Sequence, residues 1–277
     1  MKVATRRVRW QLPATGAALG GDWREREAVI VAIEADGATG LGEAAPLPGM
    51  SRDTIDEAER ALACFEAGDS PSARFAIETA LAVARAQREH MSVARLLGGE
   101  HAVRAVTVAD DACVVTTPII KIKVGAAPFG DDLARMKRIA AAAPGAAIRV
   151  DVNRRWPRGE VLARLAMTAG ALGDALEYVE EPCPAAHELL VRDLPCPLAL
   201  DESLVALAPG DLAAALRSPG LAALVLKPTL LGGFARCLEL AELARTHGKR
   251  PVVTHALEGA IGRAACAELA RAVGDAP

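Results

Sequence analysis

Two lysines lie two positions apart in an otherwise apolar segment, residues 119–125 (IIKIKVG). In a β-strand, residues i and i+2 point to the same face, so Lys121 and Lys123 would project together. If that strand is buried, loss of water lowers the pKa of an amine and lets it accept a proton near neutral pH. We therefore consider Lys123, with Lys121 beside it, a candidate general base. An edge strand carrying two solvated lysines is the alternative that this segment leaves open.

Ionisable and polar side chains recur where the following predicted strands end. They are Asp151 and Asn153, Glu180 and Glu181, Asp201 and Glu202, Lys227, and His255. In a barrel of parallel strands, the carboxyl ends of all strands meet at one rim, which is where active sites lie. A single carboxylate after a strand is commonly a helix cap. Six successive strands that end in such a residue, counting Lys123, favour one shared site instead.

Carboxylates from three adjacent strands would supply the oxygen ligands that Mg²⁺ or Mn²⁺ prefers. The sequence has no His/Cys cluster that would favour zinc. Lys123 and Lys227 would lie on opposite sides of these carboxylates in the strand order. This layout suits removal of a proton next to a substrate carboxylate, because the metal stabilises the enediolate while a lysine takes the proton.

Short apolar segments alternate with Ala/Leu-rich segments from residue 103 onward, which predicts parallel β-α-β units. The predicted strands are 103–109, 119–124, 147–151, 175–180, 197–201, 221–227 and 251–255. The predicted helices are 131–142, 160–171, 185–194, 211–218, 233–248 and 260–273. Seven strands at this spacing favour a (β/α) barrel over an open doubly wound sheet. A dinucleotide-binding fold has no support, because no G-x-G-x-x-G segment opens a helix.

The first hundred residues have a different pattern, with predicted strands at 3–10, 28–35 and 41–44 and helices at 53–67 and 72–90. The Asp36-Gly37 pair predicts a hairpin turn, and Ser51 is a candidate helix N-cap. This is the pattern of a small α+β unit. Two segments without periodicity, residues 13–24 and 46–51, are predicted loops.

Composition excludes several classes of function. The 277 residues carry a net charge of −3, and aromatic residues make up 3%, so neither a basic patch nor a base-stacking surface for nucleic acid is expected. No apolar segment is long enough to span a membrane, and no signal peptide is recognisable. The six cysteines form no C-x-x-C pair, which favours reduced, mostly buried thiols in a cytoplasmic protein.

The order K-x-K, D-x-N, E-E-P, D-E-S and K-P resembles the muconate-lactonizing subgroup of the enolase superfamily. Within it, the chain is most similar to the o-succinylbenzoate synthases of menaquinone biosynthesis. The similarity rests on GEAAPLPG (42–49), S-x-x-F-A-I-E-T-A-L (72–81), IRVDVNRRW (148–156), EEPC (180–183) and KPTLLGG (227–233). The resemblance implies an α/β fold: an N-terminal α+β capping domain, residues 1–100, and a (β/α)₇β barrel of the TIM type, residues 101–277. It also implies an eighth strand and a tail, which no segment before Pro277 supplies.

The resemblance further implies a role for each site residue. The implied metal ligands are Asp151, Glu180 and Asp201, the implied base is Lys123, and Lys227 would stabilise the enediolate from the other face. The implied substrate-binding or orienting residues are Lys121, Arg149, Asn153, Thr254 and His255, with Glu258 beside the last two. For His255, a structural histidine is an equally good interpretation. The loops at 13–24 and 46–51 would close over the barrel mouth.

The implied function is a Mg²⁺-dependent hydro-lyase, with Mn²⁺ able to substitute, that acts on a small-molecule carboxylate. It would dehydrate 2-succinyl-6-hydroxy-2,4-cyclohexadiene-1-carboxylate to 2-succinylbenzoate. The main alternative is an N-succinylamino acid racemase or another racemase or epimerase, because a pair of lysines can serve both faces of one carbon. A Schiff-base enzyme using Lys227 and a non-catalytic binding protein are further alternatives. The sequence leaves the oligomeric state open.

Overall fold

Two β-sheets, one antiparallel and one parallel, organise the chain. The computed structural model describes residues 1–12, 24–103, 106–109 and 117–274. Nearly all of the predicted loop at 13–24 lies outside the described residues, as do Cys113 and part of the predicted strand at 103–109. We found no helix among the described residues that is long and apolar enough to cross a membrane.

The antiparallel sheet contains β1 (Lys2–Gln11), β2 (Glu25–Ala35) and β3 (Ala38–Ala44), in that order. The turn between β2 and β3 is the predicted Asp36-Gly37 pair, whose φ angles of 51° and 81° suit a tight hairpin. The sheet packs against α1 (Ile55–Ala63) and α2 (Pro71–Arg88). We call these three strands and two helices, together with the loop at 45–54 that joins β3 to α1, the N-terminal unit.

The starts of α1 and α2 follow from their capping residues. Thr54, not the predicted Ser51, caps α1: its hydroxyl accepts from the backbone N–H of Glu57, whose carboxylate accepts in return from the N–H of Thr54. The Ser51 hydroxyl instead accepts from the backbone N–H of Leu47 at 2.7 Å, so it shapes the loop at 46–51. Ser70 caps α2, with Pro71 at the first helical position.

Seven parallel strands form the second sheet. They are β4 (Val106–Ala109), β5 (Ile119–Lys123), β6 (Ala147–Asp151), β7 (Leu176–Glu180), β8 (Leu198–Leu200), β9 (Leu221–Leu226) and β10 (Arg250–Val253). They lie side by side in chain order in a curled half-barrel, and among the described residues β4 and β10 are its two edges. The predicted α/β class and barrel-type architecture are confirmed. The domain boundary at residue 100 stays a prediction.

Helices cover the outside of this sheet. After α3 (Val93–Leu96) they are α4 (Phe129–Ala142), α5 (Val161–Leu172), α6 (Pro209–Arg217), α7 (Pro228–Leu231), α8 (Phe234–Thr246) and α9 (Ala260–Val273). The predicted helix at 185–194 was wrong in type, because the chain forms a 3₁₀-helix at Ala186–Val191. The short α7, which begins immediately after Lys227, was not predicted.

Strand alternation separates the apolar core from the site. Outward-facing side chains, such as Ile120, Ile122, Val150 and Leu224, pack in one large cluster under the helices. The inner face of the half-barrel holds a smaller cluster that includes Tyr178, Ala199, Ala223 and Val225. Because β5 alternates strictly, its apolar residues 120 and 122 face the helices while its two lysines face the interior.

The described cysteines agree with the predicted free thiols. Cys183, Cys196, Cys237 and Cys266 are buried, whereas Cys64 is exposed, and all five are free. Burial raises the pKa of the Cys196 thiol to about 12. The four buried cysteines therefore contribute packing and not reactive thiolates.

Candidate active site

Strand β5 carries both lysines into the interior of the half-barrel. It lies between β4 and β6, so the alternative of an edge strand is excluded. The side chains of Lys121 and Lys123 are only 17% and 18% exposed. Lys123 pairs in register with Asp151 on β6, and Asp151 pairs with Glu180 on β7. The sheet register thus aligns one ammonium group and two carboxylates at the same level.

Lys121 and Lys123 bind the same carboxylate. The Lys123 Nζ lies 2.8 Å from Asp151 Oδ2 and 2.9 Å from Asn153 Oδ1. The Lys121 Nζ lies 3.0 Å from Asp151 Oδ2 and 2.8 Å from both carboxylate oxygens of Glu180. Because both carboxylates are almost fully buried, these charge-assisted contacts compensate charges that would otherwise be costly to bury.

The third predicted carboxylate lies farther along the rim with the other lysine. Asp201 follows β8, and its Oδ2 accepts a hydrogen bond from the Nζ of Lys227. Lys227 follows β9 and sits immediately before Pro228, which opens α7. Strands β6, β7 and β8 therefore separate Lys123 from Lys227, as the strand order predicted.

The protonation of the lysines differs from the prediction. Burial lowers the pKa of Lys121, but the charges of Asp151, Glu180 and Asp201 outweigh it and hold this pKa well above the ordinary value. Burial likewise acts against the charged form of Lys227, yet Asp201 and nearby carboxylates raise its pKa. The expected lowering of the lysine pKa by burial was therefore wrong for Lys121, because this group has carboxylate partners, whereas the raised pKa of Lys227 agrees with the charged role predicted for it.

The pKa values of two carboxylates, Asp151 and Asp201, are shifted in opposite directions. Burial acts to raise the pKa of Asp151, but Lys121 and Lys123 outweigh it and lower the pKa. The pKa of Asp201 is raised by burial and by the repulsion of Glu202 and Glu180, against the attraction of Lys227. The two acids therefore occupy different electrostatic environments within one site.

The predicted metal ligands fit a divalent cation by donor type. Asp151 and Glu180 direct oxygens at one cationic atom, the Nζ of Lys121, while Asp201 is held by Lys227. Within residues 1–12, 24–103, 106–109 and 117–274, the side chains as placed include no cluster of three His, Cys, Asp or Glu residues that could hold a metal ion. Buried carboxylates around a cation are the donor type that Mg²⁺ requires. Because the three carboxylates do not form one cluster, the three-ligand site stays a prediction.

The second glutamate of the E-E pair, Glu181, binds the backbone of the segment that carries Asp201. The Glu181 carboxylate accepts from the backbone N–H groups of Asp201 at 2.9 Å and Ser203 at 3.2 Å, and it also contacts Arg154. Glu181 has a φ of 43°, in the left-handed region that residues other than glycine seldom adopt. Its hydrogen bonds fix the backbone position of Asp201.

The three lysines of the site and two residues of the predicted loop at 46–51 line one cavity. Its walls are Leu47, Met50, Val108, Lys121, Lys123, Asp151, Asn153, Lys227, Thr254, His255, Ala256 and Leu257. We call this the site cavity. Leu47 and Met50 belong to the predicted loop at 46–51, so the N-terminal unit contributes part of the wall. Sequence reasoning missed Val108, Ala256 and Leu257 as residues that line the cavity, because apolar side chains carry no chemical signature.

Arg149 lies away from the site cavity, unlike the other predicted substrate-binding residues. It is buried on β6, where its Nε donates to Glu177 at 2.6 Å and its guanidinium lies 5.2 Å from the centre of the Tyr178 ring. It does not line the cavity. The structure therefore places Arg149 between β6 and β7 inside the half-barrel, and its part in substrate binding stays a prediction.

His255 lies in the cavity wall and also makes a backbone contact, so both predicted interpretations of this residue stay open. Its side chain lines the cavity and is 46% exposed, while its Nδ1 accepts from the backbone N–H of Leu257 at 3.2 Å. Burial, assisted by nearby cations, lowers the pKa of His255. Glu258, in contrast, is buried outside the cavity wall and accepts from the Thr229 hydroxyl and the backbone N–H of Ala256.

Comparison with known families identifies this arrangement. Residues 100–277 match the family model described as "Enolase C-terminal domain-like". The chain belongs to this family. Residues 6–84 match a second model, that of the MenC N-terminal domain. The two matches together cover the parallel half-barrel and most of the N-terminal unit of this enolase-family chain.

Relatives and solved structures agree with the family. An o-succinylbenzoate synthase from Yersinia pseudotuberculosis is 30% identical over 263 residues, covering 89% of this chain and 79% of the relative. The L-Ala-D/L-Glu epimerase from Bacillus subtilis, in a substrate-liganded complex, superposes with a TM-score of 0.79 at 25% identity over 98% of this chain and 86% of its own. MenC from Desulfotalea psychrophila shares the fold, with a TM-score of 0.74 at 22% identity over 97% of this chain and 90% of its own. This enolase-family chain is therefore an enzyme.

Proposed function

We propose that this enzyme is a Mg²⁺-dependent o-succinylbenzoate synthase. It removes water from 2-succinyl-6-hydroxy-2,4-cyclohexadiene-1-carboxylate and forms 2-succinylbenzoate. The observation that carries the proposal is the 30% identity to a synthase of this name over 79% of that protein's length. The match of the N-terminal residues to the MenC family model supports the same activity.

Lys123 is the group that moves the proton. Its Nζ lies inside the site cavity and is held by Asp151 and Asn153. In the proposed reaction, its neutral amine takes the proton from the carbon bearing the substrate carboxylate. The C–OH bond then breaks, and the resulting ammonium group gives the same proton to the departing hydroxyl, which leaves as water. Removal and return on one face make this a syn elimination.

The remaining charged groups stabilise the enediolate that forms after proton removal. Lys227 lies across the site from Lys123, so its ammonium group compensates the negative charge from the opposite face. Asp151, Glu180 and Asp201 would hold Mg²⁺ or Mn²⁺. When bound, such an ion would stabilise the second negative charge that the substrate carboxylate gains in the enediolate.

An epimerase is the second candidate. The Bacillus subtilis L-Ala-D/L-Glu epimerase and a dipeptide epimerase from Methylococcus capsulatus, complexed with Mg and a dipeptide, are each 25% identical in sequence to this chain. Binding a dipeptide amine calls for an acidic residue late in the barrel. Glu258 is the sequence's candidate, but it is buried and occupied by Thr229 and the N–H of Ala256. The geometry therefore favours the synthase.

A substrate comparison with one enzyme preparation tests this proposal. The protein is incubated with the cyclohexadiene substrate, and the loss of its absorbance is followed with Mg²⁺, with Mn²⁺ and with EDTA. We expect turnover with Mg²⁺, none with EDTA, and recovery when the metal is restored. The same preparation is then given an N-succinylamino acid and an L-Ala-L-Glu dipeptide. Turnover of one of these without dehydration would refute the synthase proposal in favour of a racemase or epimerase.

Metal-independent turnover would point to different chemistry. Borohydride reduction in the presence of substrate would then trap a Schiff base on Lys227, if that lysine were a nucleophile. We expect no trapped adduct and full sensitivity to EDTA. A preparation that binds 2-succinylbenzoate but turns over none of the substrates would refute the catalytic role.

A further inference from the structure

A buried arginine joins two segments that line the site cavity. Arg26 lies on β2, in the N-terminal unit, and is only 1% exposed. Its Nη2 donates to the carbonyl oxygen of Ala45 at 2.7 Å, and its Nη1 donates to that of Pro46 at 2.9 Å. These carbonyl groups begin the loop whose residues Leu47 and Met50 form one wall of the cavity.

The same guanidinium also binds the barrel. Its Nη2 donates to the carbonyl oxygen of Ala256 at 3.3 Å, and its Nε donates to that of Leu257 at 3.2 Å. Ala256 and Leu257 line the site cavity directly. The Arg26 side chain thus makes four hydrogen bonds, two to each of two chain segments that help to line the cavity. These segments lie more than 200 residues apart in sequence.

Two buried carboxylates, Glu258 and Glu43, also bind the backbone of the barrel next to the carbonyl groups that Arg26 contacts. Glu258 accepts from the backbone N–H of Ala256 at 2.6 Å, and Glu43 on β3 accepts from those of Gly259 and Gly262 at 2.5 and 2.8 Å. Both carboxylates attract the charge of Arg26. Leu257 adopts a left-handed φ of 61°, which a branched residue keeps only when its surroundings hold it there. The segment at 254–259 is therefore held from both units.

We propose that Arg26 is a positioning residue that sets the shape of the site cavity by tying residues 45–50 of the N-terminal unit to Ala256 and Leu257 of the barrel. This inference rests on the proposed function of the cavity as the substrate site. The bonds of Arg26 reach cavity-lining segments and not the strand ends that carry Lys123, Asp151 and Lys227. Its loss should therefore weaken substrate binding and orientation more than the proton-transfer step.

Arginine is needed because its three nitrogens donate in different directions from a rigid plane. A lysine has its donors on one atom and cannot span both segments. Arg26→Lys keeps the charge and loses the link, and Arg26→Met loses both. Arg6→Met, which removes an exposed arginine from the neighbouring strand, is the matched control.

Steady-state kinetics give the first test. We expect Arg26→Lys to keep its fold and to lose about tenfold to 100-fold in kcat/KM, mostly through a higher KM, because a wall displaced by about 1 Å misplaces substrate. We expect Arg6→Met to match the parent protein. A lower Tm in Arg26→Lys with unchanged KM and kcat would show a purely structural role and overturn the proposal.

Hydrogen exchange gives a second test that needs no turnover. In Arg26→Lys, peptides covering residues 45–51 and 254–259 should exchange faster together, while a peptide from α5 stays unchanged. Faster exchange in only one of the two segments would refute the link. If the parent protein dehydrates no substrate, the proposed function fails, and this measurement still decides whether Arg26 couples the segments. If neither Arg26 variant folds, binding of 2-succinylbenzoate to the parent must protect both segments together, and protection of one alone refutes the link.

Discussion

At the scale of single residues, each lysine of the site contacts a carboxylate that lies on, or directly after, another strand. Lys123 contacts Asp151, Lys121 contacts Asp151 and Glu180, and Lys227 contacts Asp201. Such networks hold side chains in fixed positions, but they also mean that removing one member leaves its buried partner uncompensated. Substitutions in the site must therefore be tested for folding as well as for activity.

Lys123→Ala should abolish turnover, because Lys123 is the proposed base and the strand register places it on β5 opposite Asp151 of β6. We expect kcat to fall by at least about 10³-fold, within the range for loss of a general base. Exchange of the substrate's α-proton with deuterated solvent, followed by NMR, should stop as well. Lys137→Ala, which removes an exposed lysine on α4, is the control and should keep full activity.

Measurable dehydration by a folded Lys123→Ala protein would contradict its role as the base. Circular dichroism and the Tm of the variant must be compared with those of the parent protein. A folded, Mg²⁺-binding variant without activity is the result that assigns the proton transfer to this amine.

Asp151→Asn should weaken Mg²⁺ binding by removing one charged ligand. Titration calorimetry should show a dissociation constant for Mg²⁺ at least about tenfold higher, since outer contacts alone commonly change metal affinity by 10–100-fold. Asp201→Asn should act in the same direction. Asp211→Asn, at an exposed position in the first turn of α6, is the control for loss of a carboxylate. An unchanged Mg²⁺ affinity in Asp151→Asn would remove this residue from the ligand set.

At the scale of elements, close packing of β3 on α2 fixes the N-terminal unit. Gly40 and Gly42 lie against the backbone of α2, where an added Cβ would come within 1.8 Å of the carbonyl oxygens of Ala80 and Ala76. Glycine is required here by the approach of two backbones, not by a special φ angle.

Gly42→Ala should therefore destabilise the protein. We expect the free energy of unfolding to fall by about 3 kcal/mol or more, because the obstructing atom is backbone and cannot move alone. Gly170→Ala is the matched control: this glycine is exposed in α5 with nothing within 4 Å of an added Cβ. It should gain about 0.5–1 kcal/mol from the better helix propensity of alanine. Urea unfolding of both variants would measure the difference, and equal stabilities would contradict the packing argument.

Sequence periodicity predicted the elements whose burial pattern is regular. The strands at 119–124, 147–151 and 221–227 and the helix at 260–273 occur within one or two residues of the prediction. The segment at 185–194 was predicted as an α-helix from composition, but it forms a 3₁₀-helix after Ala185, whose φ is 54°. The sequence could not show this, because the left-handed Ala185 follows from the tertiary path between β7 and β8.

For the site, the sequence predicted which ends of the strands carry charge, since alternation and order are local properties. It could not predict the direction of the lysine pKa shifts, because these depend on which carboxylates the fold brings within 3 Å. Nor could it separate Arg149, which bonds to Glu177 inside the half-barrel, from residues that line the cavity. Arg149 and the cavity-lining residues of the strands follow the same alternation along the sequence, so the sequence pattern does not distinguish them.

At the scale of the whole molecule, buried charges join the N-terminal unit to the barrel. Arg26 and Glu43 come from the first, Glu258 comes from the second, and all three are at most 3% exposed. Burial raises the pKa of the Glu43 carboxyl, against the hydrogen bonds donated by the backbone of Gly262 and Gly259. The contact between the units is therefore sensitive to protonation.

Glu43→Gln should change the pH dependence of stability. Glu43 has its ordinary pKa of about 4.3 in the unfolded chain and a higher one in the folded protein. Between these two values the folded state binds more protons, so this group's contribution to stability is complete below the lower value and decreases as pH rises. Urea unfolding from pH 4 to 7 should show a stability difference, parent minus Glu43→Gln, that falls with rising pH by at most about 1.4 kcal/mol per pH unit.

Glu239→Gln, at an exposed position on α8, is the control for the loss of one carboxylate. Its stability difference from the parent should not follow the pH course seen for Glu43→Gln. A parent-minus-Glu43→Gln difference that rises with pH would contradict the raised pKa and its assignment to burial.

The division of the cavity wall between rigid strand ends and connecting loops has a consequence for how this enzyme can diversify. The reacting amines and acids project from the sheet, whereas Leu47, Met50, Ala256 and Leu257 belong to loops. Exchanging loop side chains can therefore alter which molecule is accepted while the chemistry of deprotonation is inherited unchanged. Directed evolution toward new acids should concentrate its libraries on these four positions.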